Sequence, residues 1–187
     1  MAVCLILCLI PLNASAYNLQ IGKLTGGIAN RKYYIGMTNQ TYITACISGM
    51  NAWNYALQNS PETANMGVNF TRTYTLSQAA FQFYGEYLPN QSFAATTRYY
   101  YYDKDGNAIS ATNAYHRDFA VLVFNTTKAP TENAVYMASI AAHEVGHGLG
   151  LHHNTTDFGT LMFQGVNART AHAPTRDEVL GIYEKYS

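Results

Sequence analysis

Residues 143–153 place three histidines, a glutamate and a glycine at spacings typical of a metal site. They read H-E-V-G-H-G-L-G-L-H-H, which fits the pattern H-E-x-x-H-x-x-G-x-x-H. On a helix, positions i and i+4 lie on one face, so His143 and His147 can direct two imidazoles at one metal ion. Glu144 lies on the adjacent flank, where it can reach a metal-bound water.

Gly150 is predicted to end this helix, because glycine adopts the left-handed backbone conformation that turns a chain back sharply. That turn would let His153 supply a third ligand. Three protein ligands leave the fourth tetrahedral position of zinc open, which is typical of a catalytic rather than a structural site. His152 competes for the third position, but the spacing of six residues after His147 favours His153.

The alternative interpretation is an ordinary helix with surface histidines and a glycine at its end. The sequence downstream disfavours it, since residues 157–162 read D-F-G-T-L-M. Here the chain resembles the metzincin metallopeptidases, and within them the matrixin-like branch. Metzincins carry a methionine in a tight turn beneath the zinc histidines, and Met162 matches it. The resemblance implies that its thioether forms an apolar floor under the imidazoles and is not a ligand.

Two further segments carry the resemblance more weakly. Residues 174–183 resemble the final helix of matrixin catalytic domains, with Thr175 as its N-cap, and residues 50–56 resemble the first long helix of the family. The resemblance implies an α+β, zincin/metzincin-like fold: a mixed twisted β-sheet with a backing helix and an active-site helix. A small C-terminal subdomain would end in a helix. We expect one catalytic domain over residues 17–187, with an upper part to about residue 150 and a lower part over 151–187.

Hydrophobic periodicity places most of the elements. The segment 79–88 is aromatic-rich and ambiguous, and residues 98–102 are our candidate for a sheet edge that binds substrate as an added strand. The predicted strands cover 28–37, 68–74, 96–102 and 119–124, and the predicted helices cover 41–57 and 134–149.

The first 16 residues predict a secretory signal peptide. Residues 3–12 form an apolar run too short to span a bilayer, and Ala14-Ser15-Ala16 is an A-x-A-like cleavage site. One feature disagrees with this prediction, because no Lys or Arg precedes the apolar run. From the apolar run and the cleavage site we expect a secreted, extracellular protein with no stable membrane insertion after the signal is removed. Cys46 would be its one remaining cysteine, so we expect a buried inert thiol and no internal disulfide.

Composition excludes several classes of partner. Lys plus Arg and Asp plus Glu number 11 each, and only 12% of residues are charged, so nothing indicates a nucleic-acid partner. We expect a monomer that acts on a protein or peptide substrate. No cysteine between residue 16 and the first helix could block a zinc ion as a matrixin propeptide does. We therefore expect either an enzyme that is active from the start or regulation from elsewhere.

The resemblance implies a secreted zinc-dependent metalloendopeptidase with one catalytic Zn²⁺. The zinc ion would activate a water, and Glu144 would act as the general base. Two alternatives remain open: a catalytically weak metzincin-like binding module, and a zinc hydrolase of non-peptide amides. The intact Glu144 disfavours the binding module, because a pure binder has no use for a general base.

The sequence indicates neither a second metal site nor a defined specificity pocket. His116 and His172 are isolated from the motif, and we assign no second metal because the glycine- and aspartate-rich loop that such sites need is missing. In matrixins a Pro-x-Tyr after the methionine helps to wall the main side-chain pocket. Here Phe163-Gln164-Gly165 follows Met162, so the sequence predicts neither the depth nor the preference of that pocket.

Overall fold

The structure, a computed structural model, describes residues 17–112 and 115–187. Within them, two 3₁₀ turns cover Ala64–Met66 and Leu76–Gln78. The helices are α1 (Gln40–Gln58), α2 (Ala134–Leu149) and α3 (Arg176–Tyr186). The strands are β1 (Asn18–Leu19), β2 (Lys32–Ile35), β3 (Thr71–Arg72), β4 (Ala79–Glu86), β5 (Ala95–Tyr102), β6 (Ala108–Ala111), β7 (Phe119–Asn125) and β8 (Leu151–His152).

Six of these strands form one mixed sheet in the order β3-β2-β4-β7-β5-β6. Strands β2, β3, β4 and β7 run parallel, and β5 runs antiparallel to both of its neighbours. The mixed sheet and the three helices confirm the predicted α+β fold. Strands β1 and β8 form a separate antiparallel pair, in which Asn18 lies opposite His152. This pair fixes the start of the described chain beside the segment that follows α2.

Helix α1 forms because a capping residue precedes a regular apolar stripe. The Asn39 side chain accepts a hydrogen bond from the Thr41 backbone N at 2.9 Å. The stripe, at spacings of three and four, packs into the core through Cys46, Met50 and Trp53. The predicted helix over 41–57 is confirmed to within one residue at each end. Burial also raises the pKa of the Cys46 thiol, in agreement with an inert side chain.

Helices α1 and α2 pack closely because a glycine lies at their contact. A Cβ atom on Gly49 would lie 2.8 Å from the backbone N of Ala142. Beside it, Trp53 Nε1 donates a 2.8 Å hydrogen bond to the Ala142 carbonyl, and the Trp53 side chain is fully buried. Helix α1 is therefore the backing helix against which α2 is positioned.

The first two predicted strands are shorter in the structure. Strand β2 is confined within the predicted 28–37, because Asn30 has φ 49° and interrupts the extended backbone. The predicted strand over 68–74 is reduced to the two residues of β3. Val68 contributes only an isolated antiparallel bridge to Ala29. These two predictions were too long by several residues.

The centre of the sheet agrees with the sequence more closely. The predicted strands over 96–102 and 119–124 correspond to β5 and β7. The ambiguous segment 79–88 contains β4, a strand whose first five residues are buried between β2 and β7. The aromatic side chains that made this segment ambiguous are those that fill the core beneath α2, including Phe81 and Phe83.

The prediction that residues 98–102 form a sheet edge is wrong. Tyr99 to Tyr102 pair with β6, which occupies that edge. The Asp103 carboxylate accepts hydrogen bonds from the backbone N of Asp105 (2.9 Å) and of Asn107 (2.8 Å), and these close the turn that returns the chain. On the side of β5 that faces β6, Ala95–Arg98 has no paired strand among the described residues.

The predicted signal peptide, residues 1–16, lies outside the described residues. Within the described part of the chain, no helix combines the length and the apolar character needed to cross a membrane.

Candidate metal centre

Helix α2 carries the first two histidines of the motif on one buried face. The Asn133 side chain begins the helix by accepting a 3.0 Å hydrogen bond from the Tyr136 backbone N. His143 lies nine residues after the first residue of α2, and His147 lies one turn further on. His143 is 5% exposed and His147 is 9% exposed. Their ring centroids lie 4.8 Å apart, as expected for positions i and i+4.

The chain reverses at Gly150 and brings a third imidazole to the first two. Gly150 has φ 102°, and its backbone N donates to the carbonyls of Gly146 and His147. After the short strand β8, the partly buried His153 reaches the same point. One ring nitrogen from each of His143, His147 and His153 lies within 4.8 Å of the other two. His147 Nε2 and His153 Nε2 are 3.1 Å apart.

The outer nitrogens of the two helical histidines face backbone carbonyls. His143 Nδ1 lies 2.8 Å from the Leu161 carbonyl oxygen, and His147 Nδ1 lies 2.9 Å from that of Leu151. A carbonyl only accepts, so His147 Nδ1 carries the proton and donates it, and the lone pair on its Nε2 is free to bind a cation at the centre. His143 Nδ1 faces both the Leu161 carbonyl and, at 2.9 Å, the Arg169 NH1 group, which is a donor.

The cluster fits a zinc ion. Burial lowers the pKa of His147 to about 3 and that of His143 well below its usual value, so both imidazoles are neutral, as metal ligands must be. In a tetrahedral site with Zn–N bonds of about 2.1 Å, the ligand nitrogens lie about 3.4 Å apart. The 3.1 Å between His147 Nε2 and His153 Nε2 is near that value, all three nitrogens lie within 4.8 Å of one another, and imidazole nitrogen is a preferred zinc donor.

Glu144 lies beside this centre as a buried carboxylate with one defined partner. It is 6% exposed, and its Oε2 accepts a 2.6 Å hydrogen bond from the Thr97 hydroxyl. Burial raises the pKa of Glu144 to about 7, because a carboxylate loses solvation on transfer to the interior. No pattern in the sequence indicates Thr97, because it lies in β5, 47 positions before Glu144.

Met162 packs beneath the histidines, against the middle of α2. A Cβ atom on Gly146 would lie 2.4 Å from the Met162 sulfur and 3.3 Å from the Trp53 ring. Met162 is 2% exposed, so its thioether fills the space that a larger residue at position 146 would occupy. The sequence resemblance implies a floor beneath the imidazoles, and Gly146, which Met162 contacts, directly precedes His147.

A cleft of about 570 Å³ opens beside the centre. Its inner wall includes His143, Glu144 and His153, and its other walls come from the start of β5 and from the loop over 164–169. Concave sites of this size are typical of ligand binding.

Comparison with known proteins agrees with this geometry. A family model described as matrixin matches residues 27–187. The chain belongs to the matrixin family. A curated relative, Metalloendoproteinase 1 from Glycine max, is 28% identical over 155 residues, which cover 79% of this chain and 46% of the relative. The chain thus spans about half the length of the curated relative that it matches. The resemblance to matrixins that the motif indicated is confirmed.

In this matrixin, the turn that carries Met162 is tied to the last helix. Glu178 of α3 accepts a 3.0 Å hydrogen bond from the Met162 backbone N. The same carboxylate accepts from the backbone N (2.8 Å) and hydroxyl (2.6 Å) of Thr175, which precedes α3 as predicted. The C-terminal helix therefore supports the floor of the metal centre.

Two buried arginines flank the centre, and no sequence pattern indicates either of them as part of the site. The first, Arg169, is 4% exposed and lies behind His143. Its NH1 donates a 3.1 Å hydrogen bond to the same Leu161 carbonyl that His143 faces, and its Nε donates at 3.0 Å to the Ser139 hydroxyl. Burial lowers its pKa to about 10. No sequence pattern links its loop to α2.

The second, Arg117, is fully buried at the other end of α2. Its NH1 donates to the His147 carbonyl at 3.0 Å and to Gln20 Oε1 at 2.9 Å, and its NH2 donates to the Gly22 carbonyl at 2.7 Å. The guanidinium carbon also lies 4.0 Å from the centroid of the Tyr99 ring. Arg117 thus joins the N-terminal segment to the helix end that bears His147.

The remaining histidines lie apart from the cluster. His152, the competitor for the third position, is exposed and does not join the three converging nitrogens. His116 is exposed, and His172 is partly buried with its ring 5.3 Å from that of Tyr136. Among the described residues, the group that could hold a metal ion is His143, His147 and His153.

Proposed function

We propose that this matrixin is a zinc-dependent metalloendopeptidase that hydrolyses peptide bonds in protein or peptide substrates. The observation that carries the proposal is a buried, oriented carboxylate, Glu144, beside three converging neutral imidazoles. Three ligands hold a metal and leave one position open, which is the arrangement of a catalytic site. One bound Zn²⁺, held by His143, His147 and His153, completes the proposed centre.

When bound, zinc supplies Lewis-acid chemistry, which acidifies water and polarises a carbonyl group. Glu144 accepts the proton of the attacking water and then delivers it to the departing amine. The Thr97 hydroxyl fixes the orientation of the carboxylate through its hydrogen bond to Oε2. Burial raises the pKa of Glu144 from its usual value, which favours proton exchange near neutral pH.

The unpaired half of β5 is the proposed docking edge for the substrate. A peptide added as a strand along Ala95–Arg98 would run directly past Glu144, because Thr97 of that edge contacts the carboxylate. Backbone hydrogen bonds along such an edge hold many different sequences, so the choice of substrate would come from side-chain pockets beside it.

Hydrolysis is favoured over a pure binding role. A binding module gains nothing from burying an ionisable carboxylate next to a metal site, since burial of that group is unfavourable. Met162, Glu178 and Arg169 support the cluster from below and behind. A hydrolase of non-peptide amides would use the same groups. Only assays with different substrates distinguish that function from peptide hydrolysis.

The test is cleavage of unfolded casein by the purified protein that begins at Tyr17. We expect cleavage that a zinc chelator abolishes and that added zinc restores. Cleavage insensitive to the chelator would refute the metal-dependent mechanism. A protein with one zinc per chain that leaves casein and gelatin intact but hydrolyses small amides would refute the endopeptidase assignment.

We also propose that the protein is secreted after removal of residues 1–16. The apolar run and the A-x-A-like site support this proposal. Expression of the full chain in a secreting host should give extracellular protein whose first residue is Tyr17. Retention in the cell with an intact N-terminus would contradict it.

A further inference from the structure

We propose that the cleft beside His143 and Glu144 selects substrates with an acidic side chain, Glu or Asp, next to the scissile bond. The proposal rests on the proposed peptidase function and specifies the class of substrate for that site. The basis is a juxtaposition of two cationic side chains, Arg169 and Lys128, in the wall of the cleft. The lining includes one carboxylate, Glu144, whose Oε2 is already bonded to the Thr97 hydroxyl.

Arg169 supplies a fixed positive charge at the inner end of the cleft. Its guanidinium is 4% exposed and contacts only neutral groups: it donates to the Ser139 hydroxyl and the Leu161 carbonyl, and its NH1 lies 2.9 Å from His143 Nδ1. No described carboxylate lies within 4.0 Å of it, and Glu144 and Glu178 act on it only from further away. A buried guanidinium without an ion-pair partner is unfavourable, and a substrate carboxylate in the cleft would offset that cost.

Lys128 supplies a second, mobile charge at the rim. It follows β7 in an exposed turn and lines the same cleft, and no described carboxylate lies within 4.0 Å of its ammonium group. An exposed lysine attracts an approaching anion and can close over it, although salt screens this attraction.

The shape of the cleft suits an acidic side chain with an apolar stem. Phe93, Ile140 and Val166 line it together with the two cations, so methylene groups would contact apolar walls while the carboxylate reaches the guanidinium. Because His143 and Glu144 form the wall nearest the metal centre, the side chain that enters belongs to a residue adjoining the cleaved bond. A neutral amide of the same shape would fill the space without the charge.

The test compares peptides that differ only in Glu against Gln, and Asp against Asn, at the two positions flanking the cleaved bond. For the purified protein at neutral pH, we expect kcat/KM for the acid to exceed that for the amide by about tenfold or more at one position. The ratio should fall as salt is added, because part of the attraction comes from the exposed Lys128.

Two variants assign the preference to the cleft. Lys128→Gln should lower the acid-to-amide ratio by about threefold. The matched control is Lys104→Gln, which makes the same change of charge in the exposed turn before β6 and should leave the ratio unchanged. Arg169→Gln should remove most of the preference. Its buried hydrogen bonds make misfolding a risk, so the conclusion does not depend on this variant.

A binding measurement separates this proposal from the proposed function. The zinc-loaded Glu144→Gln protein should bind the Glu peptide more tightly than the Gln peptide by a similar factor, without turnover. Equal kcat/KM and equal affinity for acid and amide peptides would overturn the proposal while leaving the peptidase function intact. If no peptide is cleaved, the peptidase function fails, and equal binding affinities would still overturn the acidic preference.

Discussion

Replacing Gly49 with alanine should destabilise the protein by forcing α1 and α2 apart. The new Cβ would lie 2.8 Å from the Ala141 Cβ and 2.8 Å from the Ala142 backbone N. Ordinary contacts to such atoms are about 3.5–4.0 Å, so the helices would have to separate by on the order of 1 Å. A backbone atom cannot rotate away as the end of a flexible side chain can.

Three terms set the magnitude. Alanine is a better helix former than glycine by about 1 kcal/mol. Overpacking at a close contact costs about 1–3 kcal/mol, and weakening the hydrogen bond from Trp53 to the Ala142 carbonyl costs about 1 kcal/mol more. The net expectation is a loss of about 1–3 kcal/mol, or a fall in Tm of about 3–10 °C for a chain of this size.

The assay is thermal and urea unfolding of the metal-free protein, with Ser48→Ala as the control. Ser48 is an exposed neighbour on the same helix, so its substitution tests helix propensity without the close contact. We expect Ser48→Ala to be neutral or slightly stabilising. If Gly49→Ala were as stable as the control, the reasoning about the close approach of the two helices would be refuted.

Three further predictions concern the metal centre and its turn. His153→Ala should weaken zinc binding by about 100-fold or more, whereas His152→Ala should change it little, as measured by competition with a chelating dye. In metal-free protein, burial raises the pKa of Glu144 from 4.5 to about 7, so stability due to this group is lost as pH rises through that window. The free energy of unfolding of Glu144→Gln, relative to that of the wild type, should therefore increase as pH rises from about 4.5 to 7 and stay constant above pH 7. Urea titrations of both proteins at several pH values would check this. Gly150→Ala (φ 102°, with the Gly22 carbonyl oxygen 3.1 Å from the new Cβ) should cost about 2–4 kcal/mol by urea unfolding. Gly106→Ala (φ 82°, nothing within 4 Å) should cost about 1 kcal/mol, and equal losses would contradict the effect of the Gly22 backbone.

The features that could be predicted from the sequence are those set by local spacing. Helix α2, its end at Gly150 and the convergence of its two histidines depend on residues within one turn of each other. Met162 followed from a family pattern only nine residues beyond His153. Helix α1 could be predicted because its apolar residues recur at spacings of three and four and form one stripe. Each of its ends differs by one residue from the prediction.

The features that could not be predicted depend on contacts between distant segments. Thr97 reaches Glu144 from 47 positions away, and Arg117 joins Gln20, 97 positions earlier, to the end of α2. Arg169 lies in a loop with no periodicity, so its place behind His143 has no local signature. The edge prediction was wrong for the same reason, because a short strand such as β6 has too few residues for its pairing to be read from alternation.

The most direct test of the central claim compares the wild type with Glu144→Ala at equal zinc content. His143 and His147 face backbone carbonyls and do not bond to the Glu144 side chain, so both proteins should bind one zinc per chain. We expect casein cleavage by the wild type and a loss of about 10²-fold or more in the variant, since the proton acceptor is gone. Cleavage by zinc-loaded Glu144→Ala at the wild-type rate would contradict the account.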